Sequence, residues 1–196
     1  MNTTSENKTA NLSDSQPSNL GVSTWKIDTA HSHIQFNVKH LVVTTLSGHF
    51  NKFDATMECH GDDFTHAKIN FEADIDSIST SNVARDGHLK SDDFFNAVKY
   101  PKLTFVSTGI VKIDEVNYKL TGNLTIRDKT LPIELDVKYG GTVKGLQGQT
   151  LMGFELKGKI NRKDFDLKWS YTTEAGNIVV SDEVNLVMGV EMAKQA

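Results

Sequence analysis

The chain of 196 residues has a single cysteine, three prolines and no uninterrupted apolar run longer than three residues, as at Leu41–Val43 and Ile178–Val180. One cysteine, Cys59, excludes an intramolecular disulfide and any cysteine-rich zinc site. Runs that short exclude a transmembrane helix, which needs about 20 consecutive apolar residues. A formal net charge of −4 creates no global field toward nucleic acid or an anionic surface, so neither nucleic-acid binding nor stable membrane insertion is expected. Signatures of chemistry are missing as well: there is no Gly-x-Ser-x-Gly elbow, no P-loop and no Gly-x-Gly-x-x-Gly phosphate cradle. Residues 1–23 are rich in Asn, Ser and Thr and lack the basic start and apolar stretch of a signal peptide. They predict a disordered polar leader and a cytoplasmic location.

What the chain does have is alternation. Trp25 and Ile27 occupy odd positions, whereas Ile34, Phe36, Val38, His40 and Val42 occupy even ones. A strand with one dry face alternates strictly, so the change of parity across Asp28–Ser32 demands a bulge or a break. Similar runs follow at Phe53–Cys59, Phe71–Ile75, Leu103–Phe105, Leu120–Ile126, Ile133–Tyr139, Phe154–Ile160 and Ile178–Val190. Turn signals separate them at Ser47-Gly48, Gly61-Asp62-Asp63, Asp114-Glu115, Arg127–Lys129, Gly140-Gly141 and Gly176-Asn177. The pattern predicts an all-β fold, an antiparallel sandwich or an up-and-down barrel of about eight strands. A barrel is favoured because closure removes aggregation-prone edges. One stretch departs from the pattern: Ser81 or Asn82 is placed to cap a helix from Val83 to about Lys90 within a helical segment around 82–98. It stops before Tyr100-Pro101.

Candidate chemical groups are few. His31 and His33 share a strand face at a spacing that metal sites use, but no further ligand pair accompanies them, and no metal is expected. His40 continues the apolar parity of its strand, where a lone histidine is more often a hydrogen-bonded core residue than a ligand group. Cys59 lies on a dry parity and reads as buried and inert. Asp182 shares the inward parity of Val180 and Val184, so its carboxylate needs a partner; Arg85 or a backbone cluster is the expected one. Ten phenylalanines against four tyrosines supply large rings without polar handles, and a small barrel can fill its interior with them or leave a tunnel.

Several phrases together resemble the YceI-like family of lipocalin-like, polyisoprenoid- or lipid-binding barrels. They are WKIDTAHSHIQFNVKHL (Trp25–Leu41), GHFNKF (Gly48–Phe53), the stretch Ser77–Thr108 containing RDGHLKSDDFFNAVKYPKLTF, GNLTIRDKTLPI (Gly122–Ile133), INRKDFDLKW (Ile160–Trp169) and SDEVNL (Ser181–Leu186). The resemblance covers residues 24–191 and leaves 192–196 as a tail. It implies an extended eight-stranded antiparallel barrel with a helical flank and an apolar pore holding a long-chain amphiphile: a polyisoprenoid, a quinone-like molecule or a fatty-acid derivative. It also implies a homodimer and no cofactor. The expected pore lining is Phe36, Val38, Phe71, Ile75, Phe94, Phe95, Phe105, Leu124, Ile126, Phe154, Phe165 and Trp169. Arg85, His88, Asp182 and His40 are expected to face the head group. Two competing readings are an enzyme acting on an isoprenoid-type substrate through Asp182, His40 or His31, and a ligand-free stress-response barrel.

Overall fold

The computed structural model describes residues 21–60, 63–172 and 178–195. Most of the predicted leader, residues 1–20, and the turn residues Gly61, Asp62, Gly176 and Asn177 lie outside the described residues. Eleven strands form the wall: β1 (Val22–Ile27), β2 (His33–His40), β3 (Thr44–Phe50), β4 (Phe53–His60), β5 (Asp63–Asp74), β6 (Ile78–Ser79), β7 (Lys102–Lys112), β8 (Asn117–Ile126), β9 (Lys129–Lys144), β10 (Thr150–Asn161) and β11 (Val180–Lys194). They make one antiparallel sheet in the order β1-β4-β5-β7-β8-β9-β10-β11-β2-β3-β6, and β1 also pairs with β11. Three pairs of these strands are single staves broken once: β1 with β2, β3 with β4, and β5 with β6. Counted that way, the sheet is a closed eight-stave up-and-down barrel.

The parity change read from the sequence is the first break. β1 meets the end of β11 (Ile27 opposite Met192) and β2 resumes farther along it (His33 opposite Gly189). Between them Asp28 N–H donates to Glu191 O, and Glu191 N–H donates to the Ser32 hydroxyl, so a side chain continues the ladder where the backbone turns away. The turn itself is tied by His31 Nδ1 at 2.9 Å from Asp28 Oδ2. β11 runs to Lys194, so Met192–Lys194 belong to the wall and not to a tail.

The helix α1 (Val83–Lys90) forms where the caps predict it: the Asn82 side chain accepts from Arg85 N–H, and the Ser91 hydroxyl donates to His88 O. Helix ends there, and residues 91–99 continue as turns rather than helix. α1, the β2–β3 turn, the β8–β9 turn and the segment after β10 all lie at one end of the barrel. The β7–β8 and β9–β10 turns lie at the other. Among the described residues no helix is long and apolar enough to cross a membrane.

One pH-linked consequence follows from the break. The Asp28 carboxylate, aided by Glu191, raises the pKa of His31, and the hydrogen bond from His31, then that from Ala30 N–H, lowers the pKa of Asp28. The histidine's contribution to stability is present below its ordinary value of about 6.5 and is lost as pH rises through the raised value. The aspartate's contribution is present above about 3.9 and is lost as pH falls through the lowered value. The tie is therefore strongest between the two. By NMR, His31 is expected to titrate above its ordinary value and to move most of the way back toward it in Asp28→Asn, where Glu191 remains; an unchanged titration in that variant contradicts the coupling.

Candidate functional site

The barrel is hollow. An apolar cavity of about 390 Å³ follows its axis, within the range of ligand pockets. Two of the lining rings reach over glycines, where no side chain displaces them. A Cβ built on Gly48 would meet the Phe36 ring at 2.3 Å, and one on Gly122 would meet the Phe105 ring at 2.2 Å. Gly48 is the register partner of Phe36. A larger residue at Gly48 would displace the Phe36 ring, and one at Gly122 would collide with both the Phe105 ring and Val106 O.

The two ends of the hollow differ. At the β7–β8 end, Phe64 packs against Tyr118, Tyr139 and Phe154, with ring centroids 4.7–5.2 Å away, and this cluster closes the floor. The α1 end holds every titratable side chain that borders the hollow among the described residues: His40, Arg85, His88 and Arg162. His88 Nε2 is 2.9 Å from Asp93 Oδ2, and its ring stands edge-on to both Phe94 and Trp169 at 5.1 Å. Arg85 is half-buried, donates from Nε to the Thr80 hydroxyl (2.7 Å) and from Nη2 to Thr80 O (2.8 Å), and has no carboxylate partner among the described residues. The Thr80 hydroxyl donates in turn to Asp86. The guanidinium is thus aimed by neutral oxygens, and its Nη1 donors remain available to an anionic or carbonyl oxygen.

All predicted pore residues except Ile75 and Phe165 line the hollow. Ile75 was expected at the end of a strand. The chain instead coils into a 3-10 turn at Ile75–Ser77, tied by Ile75 N–H to Pro101 O, and the side chain is buried outside the hollow. Phe165 is likewise buried in a 3-10 turn, Arg162–Phe165, which Asp166 ends in a left-handed conformation. Of the expected head-group residues, Arg85, His88 and His40 border the hollow, and Asp182 does not. A register shift between Val180 and Val184 breaks the alternation that placed Asp182 inward. Nor does Asp182 meet Arg85; its oxygens lie 3.1 Å from Arg162 Nη2 and 2.9 Å from Lys163 Nζ.

Arg162 matches a family signature position in the sequence, but sequence reasoning gave it no place at the site, although the dry parity of Phe154, Leu156, Gly158 and Ile160 runs straight into it. Only 2 % exposed, it donates from Nε to Ser181 O and from Nη1 to Leu167 O and Trp169 O. Burial lowers its pKa and Asp182 opposes that shift. Its hydrogen bonds hold the segment carrying Trp169 against the hollow. His31 and His33 do not converge: His31 pairs with Asp28 and Glu191 outside the hollow, and the His33 ring lies over Gly189.

Comparison with known proteins agrees with this architecture. Residues 25–192 match the model of the YceI-like domain. Protein YceI of Escherichia coli is 36% identical over 173 residues, covering 87% of each chain. The crystal structure of the Campylobacter jejuni YceI protein superposes with a TM-score of 0.69 at 38% identity, covering 81% of this chain and 90% of that one. A polyisoprenoid binding domain from Saccharophagus degradans, implicated in plant cell wall breakdown, shares the fold at 14% identity and a TM-score of 0.58, covering 87% and 98%.

Proposed function

This chain belongs to the YceI-like family, and from its closed barrel we propose that it is a non-enzymatic binder of a long-chain amphiphile, for carriage, storage or sequestration. The observation that carries this reading is the axial hollow of about 390 Å³ with its titratable groups gathered at one end. Each methylene moved from water into such a space contributes about 0.8 kcal/mol, offset in part by ordering of the chain. An apolar tail therefore enters toward the Phe64 floor, and the head stays beside Arg85, His88 and His40. Polyisoprenoid, quinone-like and fatty-acid tails all suit this space, and the S. degradans neighbour lends the first of these support by likeness of fold.

An enzymatic reading needs an acid or base pair at the reacting atoms. Of the residues weighed for that role, Asp182 and His31 do not line the hollow and His40 does. The one His–Asp contact at the mouth among the described residues, His88 with Asp93, joins a half-exposed ring to an exposed carboxylate, and the reading as a binder is preferred. The family resemblance further implies a homodimer, which sedimentation velocity of the purified chain tests.

The head-group assignment is tested with hexadecanoic acid and hexadecan-1-ol as paired ligands. Arg85→Ala is expected to weaken the acid about tenfold or more, the worth of one charge-assisted hydrogen bond, and to leave the alcohol nearly unchanged. Equal affinity of the variant and the native chain for the acid contradicts the role of Arg85.

A further inference from the structure

The β2–β3 turn is made of residues ill-suited to its shape. Leu41 and Val42 both adopt positive φ, 51° and 62°. Tight hairpin turns normally fill such positions with Asn-Gly, and a β-branched side chain there is an outlier. Burial does not explain the choice, because Val42 and Val43 are 77% and 81% exposed. Backbone hydrogen bonds extend the patch: Leu41 N–H donates to Val179 O, and Val179 N–H donates to Tyr171 O. These bring up Tyr171 and Ile178, 60% and 47% exposed. The patch is continuous with the mouth, since His40 and Val179 line the hollow. Segment 37–46 also carries an exposed Lys39 and no acidic residue.

We infer that this tip docks on a lipid bilayer containing anionic lipid, so that the mouth opens against the acyl region. The inference rests on the proposal that the hollow holds a lipid. An amphiphile passing between membrane and barrel crosses this rim, and apolar side chains seated in the interface keep its tail out of water on the way. Tyrosine suits that boundary, with an apolar ring and a polar tip. Lys39 adds attraction to anionic lipid, a local effect that the net charge hides. Five side chains, Leu41, Val42, Val43, Tyr171 and Ile178, fall well short of the roughly 800 Å² per partner that a stable protein interface buries, which disfavours a second copy as the occupant.

The test is co-sedimentation of the full chain with vesicles of phosphatidylcholine and phosphatidylglycerol, alongside binding of cis-parinaric acid as a probe of the hollow. The triple variant Leu41→Asn, Val42→Gly, Val43→Asp suits the turn better than the native residues and so keeps the fold. It is expected to bind vesicles at least tenfold more weakly while binding cis-parinaric acid normally. Ile113→Asp, at another exposed apolar site (63%) on the opposite end, is expected to behave as the native chain. Native protein that stays in the supernatant, a triple variant that pellets like it, or a variant that loses self-association in place of vesicle binding overturns the inference. Vesicle binding without uptake of cis-parinaric acid by the native chain removes the cavity proposal and leaves the docking tip standing.

Discussion

Arg162→Ala is expected to lower the stability of the barrel by about 3–5 kcal/mol, the range found when one partner of a buried ionic network is removed. The guanidinium is nearly inaccessible and joins Ser181 O, Leu167 O, Trp169 O and Asp182. Its loss strands three backbone acceptors and leaves a void. Asp182→Asn is expected to cost about 1 kcal/mol or less, because that carboxylate is a third exposed and keeps Lys163 beside it. Arg162→Lys is expected to resemble the alanine variant, since a single ammonium cannot reproduce the planar fork. Denaturant unfolding measures all three. Comparable losses for Arg162→Ala and Asp182→Asn would mean that the ion pair, and not the carbonyl network, holds the segment 162–169.

The second large effect concerns the hollow. Leu156→Trp, on the wall of the cavity, places an indole in empty space instead of overfilling a packed core. The stability change is therefore expected to be about 1 kcal/mol or less. Displacing about four methylenes of a bound tail forfeits about 3 kcal/mol, close to a hundredfold in affinity. Titration with cis-parinaric acid, set beside thermal unfolding of the same sample, separates the two quantities. A stable variant that binds as tightly as the native chain places the ligand elsewhere.

Much of the architecture was legible because a barrel wall writes its inside and outside as alternation. The slip across Asp28–Ser32 required a break and became one; Asn82 and Ser91 bound the helix as their side chains dictate. Legibility failed where a local irregularity reset the parity. The shift between Val180 and Val184 left Asp182 out of the lining and on Arg162, and the 3-10 turns at Ile75 and Phe165 buried side chains beside the hollow rather than in it. Whether ten phenylalanines would fill the interior was beyond reach of periodicity. It depends on which ring faces which glycine, and only the register sets Phe36 over Gly48. Arg162 was given no role at the site because a charged residue at the end of a dry run resembles the start of a loop.

Native mass spectrometry of the freshly purified chain, followed by solvent extraction, tests the central claim most directly. The expected spectrum contains a population heavier than the apoprotein, whose added mass is released into solvent as an amphiphile with a long apolar tail and is lost in Leu156→Trp. A single population at the mass of the bare chain, which stays bare after incubation with hexadecanoic acid, would contradict it.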